Sequence, residues 1–170
     1  MALAEAARYP NGVLHIVYHE PEIAGNTGAA IRLSACTGAR LHLIEPLGFD
    51  FSDAHLKRAG LDYHDLADVV IHPSWEAAKK YFGESARIFA FTSHTRNNYA
   101  DEQYHDGDVL LFGKEATGLP SSVMEDPRIT KLVRIPMLPS RRSLNLTNSA
   151  SIAVYEAWRQ LGFTGAAPLS

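Results

Sequence analysis

Only one cysteine, Cys36, stands in the 170 residues, so no internal disulfide can form. The residue falls in an apolar helical pattern between Ala35 and Thr37, where a small buried side chain is expected. No window approaches the roughly 18 uninterrupted apolar residues that a membrane helix requires. Residues 1–8 carry an acid and lack a basic start followed by an apolar stretch, which predicts no secretory signal and a cytoplasmic protein. The common glycine signatures are missing as well: there is no G-x-G-x-x-G after the first strand pattern, no G-x-x-x-x-G-K-[ST] and no G-x-S-x-G. Dinucleotide, phosphate-loop and hydrolase chemistries lose their support. Positive charge is scarce too, with 16 Lys and Arg against 19 Asp and Glu and a net charge of -3. That weighs against a nucleic-acid partner unless the bases gather locally. Between positions 128 and 142 they do, five bases with no acid.

What is present is the composition of an ordinary globular protein, 46% hydrophobic and 21% charged, of a length that forms one domain over 1–170. The core is expected at 13–162, with a short N-terminal extension and a loose tail. Apolar runs of strand length at 13–18, 40–44, 69–72, 87–92, 108–112 and 132–135 alternate with helical patterns at 27–36, 53–59, 75–82 and 148–161. Gly38, Gly60 and Gly83 close the first three helices, and Ser74 caps the third. Strands apolar on both faces, alternating with helices, predict an α/β fold whose mostly parallel sheet is covered by helices on both sides. In such folds ligands bind beyond the carboxyl ends of the strands, which selects the loops at 93–107, 113–120 and 136–145. Eight histidines raise the question of a metal. Four-residue spacing within a strand, as in His15 and His19, does not bring side chains together, so none is expected. His19 and His94 adjoin the loops.

Three blocks carry the chemistry. Pro21 to Gly28 joins the first strand to a helix that carries Arg32, and its amides can hold an anion, with Asn26 or Thr27 as the cap. Phe112-Gly113-Lys114-Glu115 with Gly118-Leu119 sets a carboxylate between two glycines, whose backbones can approach a flat ligand closely. Ile135-Pro136-Met137 leads through Arg141 and Arg142 to Ser143-Leu144-Asn145-Leu146-Thr147-Asn148-Ser149. Capping would use one of those polar residues, so Ser143, Asn145 and Asn148 are expected to bond something besides the helix. Arg141 and Arg142 suit phosphate, because the guanidinium fork stays charged and pairs with two oxygens.

In order and spacing the three blocks resemble the motifs of the SpoU branch of the SPOUT methyltransferases, over nearly the whole of 13–162. The segments Tyr18 to Ile23, Arg58 to His64 and Val154 to Gly162 are similar to the subgroup that methylates the tRNA wobble ribose. Ala24-Gly25 and Ala29-Ala30 are smaller than is usual there, which bears on substrate choice. The resemblance implies a C-terminal trefoil knot, an S-adenosylmethionine cofactor, no metal, and action on cytidine 34 or 5-carboxymethylaminomethyluridine 34 in a tRNA anticodon stem-loop. It further implies a cofactor pocket formed by Phe91, Thr92, Gly113, Glu115, Gly118, Leu119, Ile135, Met137, Ser143 and Leu144. Arg32 would be catalytic with Asn26, Glu115, Ser143 and Asn145, and Arg32, Arg141 and Arg142 would meet RNA. An arginine is a poor proton acceptor at neutral pH. Arg32 is therefore expected to steer the phosphate and stabilise the developing alkoxide, while solvent or phosphate takes the proton. A homodimer is expected as well: Ala150, Ala153, Val154, Ala157, Trp158 and Leu161 form one apolar stripe, and Ile152 and Tyr155 lie outside it. The rival readings are a non-catalytic RNA-binding module, a methyltransferase acting on another RNA site, and one acting on a small molecule.

Overall fold

The computed structural model describes residues 13–52, 56 and 69–169. Six parallel strands run in the order β3-β2-β1-β5-β4-β6: β1 (His15–His19), β2 (Arg40–Ile44), β3 (Val70–His72), β4 (Ile88–Phe91), β5 (Val109–Phe112) and β6 (Lys131–Val133). Each observed strand overlaps its predicted run. The helices are α1 (Ala24–Thr37), α2 (Trp75–Phe82), α3 (Ser121–Met124) and α4 (Leu146–Gln160). The short α3 was not anticipated. The expected helix at 53–59, the similar segment at 58–64 and the N-terminal extension lie outside the described residues.

Alternation along each strand sorts the core into two layers, as parallel strands buried on both sides require. Ile16, Tyr18, Leu41, Leu43, Phe89, Leu110 and Phe112 pack under α1 and α4, which contribute Ala30, Ile31, Ala150, Ala153, Val154 and Ala157. Val17, Ile44, Ala90 and Leu111 pack under α2 and α3 with Ala78 and Val123. The stripe expected on the last helix is thus the buried one, and Trp158 and Leu161 extend it half-buried. Cys36, by contrast, is exposed. At about 100° per residue it stands roughly 140° round α1 from the buried Ile31, so the apolar pattern there was not a buried face.

On the α2 side three histidines from three strands form a row. His15 Nδ1 lies 2.9 Å from His42 Nε2, and His42 Nδ1 lies 3.0 Å from His72 Nε2. Tyr81 and Phe82 of α2 close over them. A neutral imidazole donates once and accepts once, so the row is satisfied with all three rings uncharged. Burial lowers the pKa of His15 to about 4 and that of His72 below its ordinary value. Burial first, then the charges of His15, His72 and Arg40, takes His42 well below the same reference. The unfolded chain therefore binds protons near pH 6.5 that the folded chain refuses, at His15 until about pH 4. Stability is expected to be flat above about pH 6.5 and to fall as pH drops through that window, by up to about 1.4 kcal/mol per pH unit for each such histidine. Thermal unfolding between pH 7.5 and pH 5, roughly the span over which histidine titrates, should show the decline, and His15→Gln should make it shallower.

Candidate active site

All six strands point their carboxyl ends to one edge, and there the loops after β1, β4, β5 and β6 enclose a cavity of about 480 Å³. Its apolar wall includes Phe91 and Phe112, stacked at 4.6 Å and 19°, with Leu119, Ile135, Leu144 and Leu146. Thr92, Ser93, Ser143 and Ser149 supply hydroxyls at its surface. Phe91, Thr92, Gly113, Glu115, Gly118, Leu119, Ile135, Met137, Ser143 and Leu144 all line this one space, together with Asn26 and Asn145. Arg32 does not: it is exposed on α1, outside the lining. Arg141 and Arg142 are exposed in the loop between β6 and α4, also outside it. Ser93, His94, Lys114, Arg134 and Ser149 line the cavity without having been singled out as site residues. The signal for four of them was position, since they directly follow the ends of β4, β5 and β6.

The anion foreseen for the amides of the first block turns out to be part of the protein. Glu115 accepts from the Glu22 N–H at 2.8 Å, the Ile23 N–H at 3.0 Å and the Asn26 side-chain amide at 3.2 Å. It thereby caps α1, which begins at Ala24 rather than 27 and has no side-chain cap of its own at Ile23. Neither Asn26 nor Thr27 is that cap. A carboxylate at a helix N-terminus meets both the free N–H groups and the positive end of the dipole. Gly48 backs this turn, with its N–H 3.0 Å from the Pro21 carbonyl and a notional Cβ only 2.7 Å from the Glu22 backbone. Lys114 pairs with Glu20 at 2.9 Å alongside.

A second set of bonds ties α1 to α4. Asn145 caps α4 through Thr147 N (2.9 Å) and Asn148 N (3.1 Å), and its own amide donates to the Asn26 side-chain oxygen at 2.8 Å. Thr147 donates its hydroxyl to the Asn26 carbonyl at 2.6 Å. Its single proton is then engaged, so Tyr18, 2.8 Å away, must be the donor to Thr147. Burial raises the Tyr18 pKa and keeps the phenol protonated for that task. Of the polar residues expected to reach beyond the helix, Asn145 does, while Thr147 takes the part assigned to Asn148. Asn26 thus bonds both Glu115 and Asn145, and the three hold the cavity's shape. Ser143 is left with an exposed side chain at the lining.

Known proteins are similar over about nine-tenths of the chain. A "tRNA (cytidine(34)-2'-O)-methyltransferase" of Aeromonas hydrophila is 50% identical over 153 residues, covering 90% of this chain and 97% of the relative. A solved structure described as "Structural insights into the 2-OH methylation of C/U34 on tRNA" superposes with a TM-score of 0.82 at 43% identity, covering 89% of this chain and 98% of the other. The SpoU methyltransferase AviRb from Streptomyces viridochromogenes, solved with AdoMet, superposes with a TM-score of 0.73 at 25% identity over 91% of this chain and 60% of the other. Residues 13–155 match the model of the SpoU rRNA Methylase family, and the chain belongs to that family.

Proposed function

We propose that the chain is an S-adenosylmethionine-dependent tRNA 2'-O-methyltransferase of the cytoplasm, acting on the wobble ribose of cytidine 34 or 5-carboxymethylaminomethyluridine 34. The observation that carries this reading is the convergence of three sequence blocks on one cavity, in a chain half identical to a relative named for that reaction. The cavity fits the cofactor: its volume lies in the range of about 300–1,000 Å³ usual for such ligands, with an apolar wall for a heterocycle and hydroxyls beside it. Phe91, Thr92, Gly113, Gly118, Leu119, Ile135, Met137, Ser143 and Leu144 would hold it. Bound there, S-adenosylmethionine supplies a methyl group activated on a sulfonium.

Positioning is then the protein's main contribution. Glu115, Asn26 and Asn145 fix the start of α1 against the start of α4, and Ser143 faces the cavity. Arg32 holds a phosphate of the RNA and stabilises the alkoxide as the 2'-hydroxyl proton leaves to solvent or phosphate. Arg141 and Arg142 extend the RNA contact. The chain between β6, at the sheet edge, and α4, bonded to Asn26 beside β1, crosses the ends of β4 and β5. That crossing supports a trefoil knot at the C-terminal side of a single domain. Ile152 and Tyr155 are 37% and 45% exposed, and Tyr155 and Phe163 ring the half-buried Trp158 at 5.7 and 5.3 Å. This surface supports a homodimer of the 18.7 kDa chain.

The test is transfer of labelled methyl from the cofactor to tRNA, with the label mapped by nuclease digestion. Label at the wobble ribose is the expected result, and Arg32→Ala should lower turnover at least about a hundredfold, near 2.7 kcal/mol, while leaving cofactor affinity intact. tRNA binding without transfer would identify a non-catalytic module, and label elsewhere another RNA site. Light scattering of the same preparation should give twice the chain mass.

A further inference from the structure

An acidic chain that works on a polyanion must gather free positive charge somewhere, and the pairing of its bases shows where. Lys79 meets Asp126 at 2.6 Å and Glu76 at 2.8 Å, Arg87 meets Asp108 at 2.7 Å, Lys114 meets Glu20 at 2.9 Å, and Arg159 meets Glu156 at 2.9 Å. Two of the five bases between 128 and 142 are engaged in the same way. Lys131 pairs with Glu102 at 2.5 Å, and Arg128 donates to the Gly83 carbonyl with Glu84 at 3.9 Å. Four arginines among the described residues have no carboxylate or hydrogen-bond partner for their side chains: Arg96, Arg134, Arg141 and Arg142. All four stand in the loops that follow β4 and β6, at the edge that holds the cavity, and Arg134 lines it. Among the described residues Lys80 on α2 is the one lysine in that condition.

Arg96 and Arg134 are far apart in sequence yet adjacent in the fold. Asn98 forms a parallel bridge with Arg134, the Arg134 N–H donates to the Asn97 carbonyl at 2.8 Å, and the Tyr99 N–H returns to the Arg134 carbonyl at 3.0 Å. The Asn97 side chain adds a bond to the Leu132 carbonyl at 3.0 Å. Thr92 and Thr95 hydroxyls accept from the His94 and Asn97 amides at 3.1 and 3.3 Å, which shapes the loop from within. The result is a pinned loop with exposed His94 and Arg96 side chains. A guanidinium with no internal partner gives up no ion pair when it meets phosphate, and its fork takes two oxygens at once.

We propose that the 93–98 loop is a phosphate-gripping element for RNA, with Arg96 and Arg134 contacting the backbone beside the nucleotide whose ribose enters the cavity. This rests on the RNA-methyltransferase reading above. The backbone bonds of the loop set where the Arg96 Cα stands, and its exposed side chain reaches out from that point. Arg141 and Arg142 grip from the other loop, and the four together give the acidic chain its cationic rim.

The test is tRNA binding by the full chain and by Arg96→Ala, Arg134→Ala, Arg96→Lys and Lys80→Ala, at several salt concentrations between about 50 and 200 mM. Calorimetry with S-adenosylmethionine runs in parallel. Each alanine at 96 or 134 should weaken tRNA at least about threefold at low salt and flatten the log–log salt slope by about 0.7–0.9. Cofactor affinity should stay unchanged in Arg96→Ala, which lies outside the cavity lining. Arg96→Lys should keep the slope, since it keeps the charge, and Lys80→Ala should behave as wild type. Wild-type affinity and slope in Arg96→Ala would overturn the proposal. Loss of cofactor affinity with an unchanged tRNA slope in Arg134→Ala would overturn the assignment of that residue to RNA. A wild-type protein that neither binds nor methylates tRNA would instead sink the functional reading, and this proposal with it.

Discussion

Gly113→Ala is expected to weaken S-adenosylmethionine binding at least about a hundredfold, near 2.7 kcal/mol, even though it adds only one carbon. That carbon would stand 2.1 Å from Gly118 C and 2.2 Å from Leu119 N, both backbone atoms that no rotamer change can move aside. The loop after β5 closes on itself at this point: the Gly118 N–H donates to the Lys114 carbonyl at 2.9 Å, and Gly118 adopts φ +70°, a conformation that disfavours any side chain. From the sequence, glycine at 113 was expected to make room for a ligand. Instead it makes room for the chain's own return, and the ligand depends on the loop that this contact shapes. Calorimetry on Gly113→Ala, with Gly25→Ala as the comparison, decides the matter. Gly25 has nothing within 4 Å of a notional Cβ, and its variant should bind normally. Unchanged affinity in Gly113→Ala would mean that the cofactor does not use this loop.

Glu115→Ala should lose both stability and turnover, by about 2–3 kcal/mol and about a hundredfold. It leaves the amides of Glu22 and Ile23 and the side chain of Asn26 without their acceptor. Glu115→Gln keeps one acceptor oxygen but loses the charge that the helix N-terminus favours, and should fall between. Denaturant unfolding and turnover, measured on both variants, separate two roles. A cap loses stability and activity together. If turnover collapsed while stability held, Glu115 would belong among the groups that act on the substrate.

The contrast between Gly113 and Glu115 shows which parts of the molecule were legible in sequence. Every strand was, and β4 and β5 most plainly, because a run apolar on both faces needs no knowledge of its neighbours. The cavity was legible in part: the residues expected to hold a cofactor do line one space, while Arg32, Arg141 and Arg142 of the same blocks stand outside it. Roles were less so. Asn26 looked like a cap and Glu115 like a reactive carboxylate, because the helix start they share is completed across 89 positions, beyond any local pattern. The row of His15, His42 and His72 stayed hidden for the same reason: it requires the registers of β1 with β2 and β2 with β3, which no single strand encodes. Arg96 stands alone in its loop in the sequence, and its companion Arg134 is joined to that loop through Asn97 and Asn98.

The central pair of the sheet, β1 with β5, joins His15 to Val109 and Tyr18 to Phe112. Contacts of such separation are slow to form, because a long loop must close before any of them is rewarded. The cavity needs more still, since Asn145 and Ser149 belong to its lining. A nascent chain emerging from the ribosome therefore holds its first strand unpaired on that side until β5 has been made, and cannot complete the cavity until α4 begins. Fragments that stop before residue 145 should bind no cofactor, however well their early helices form.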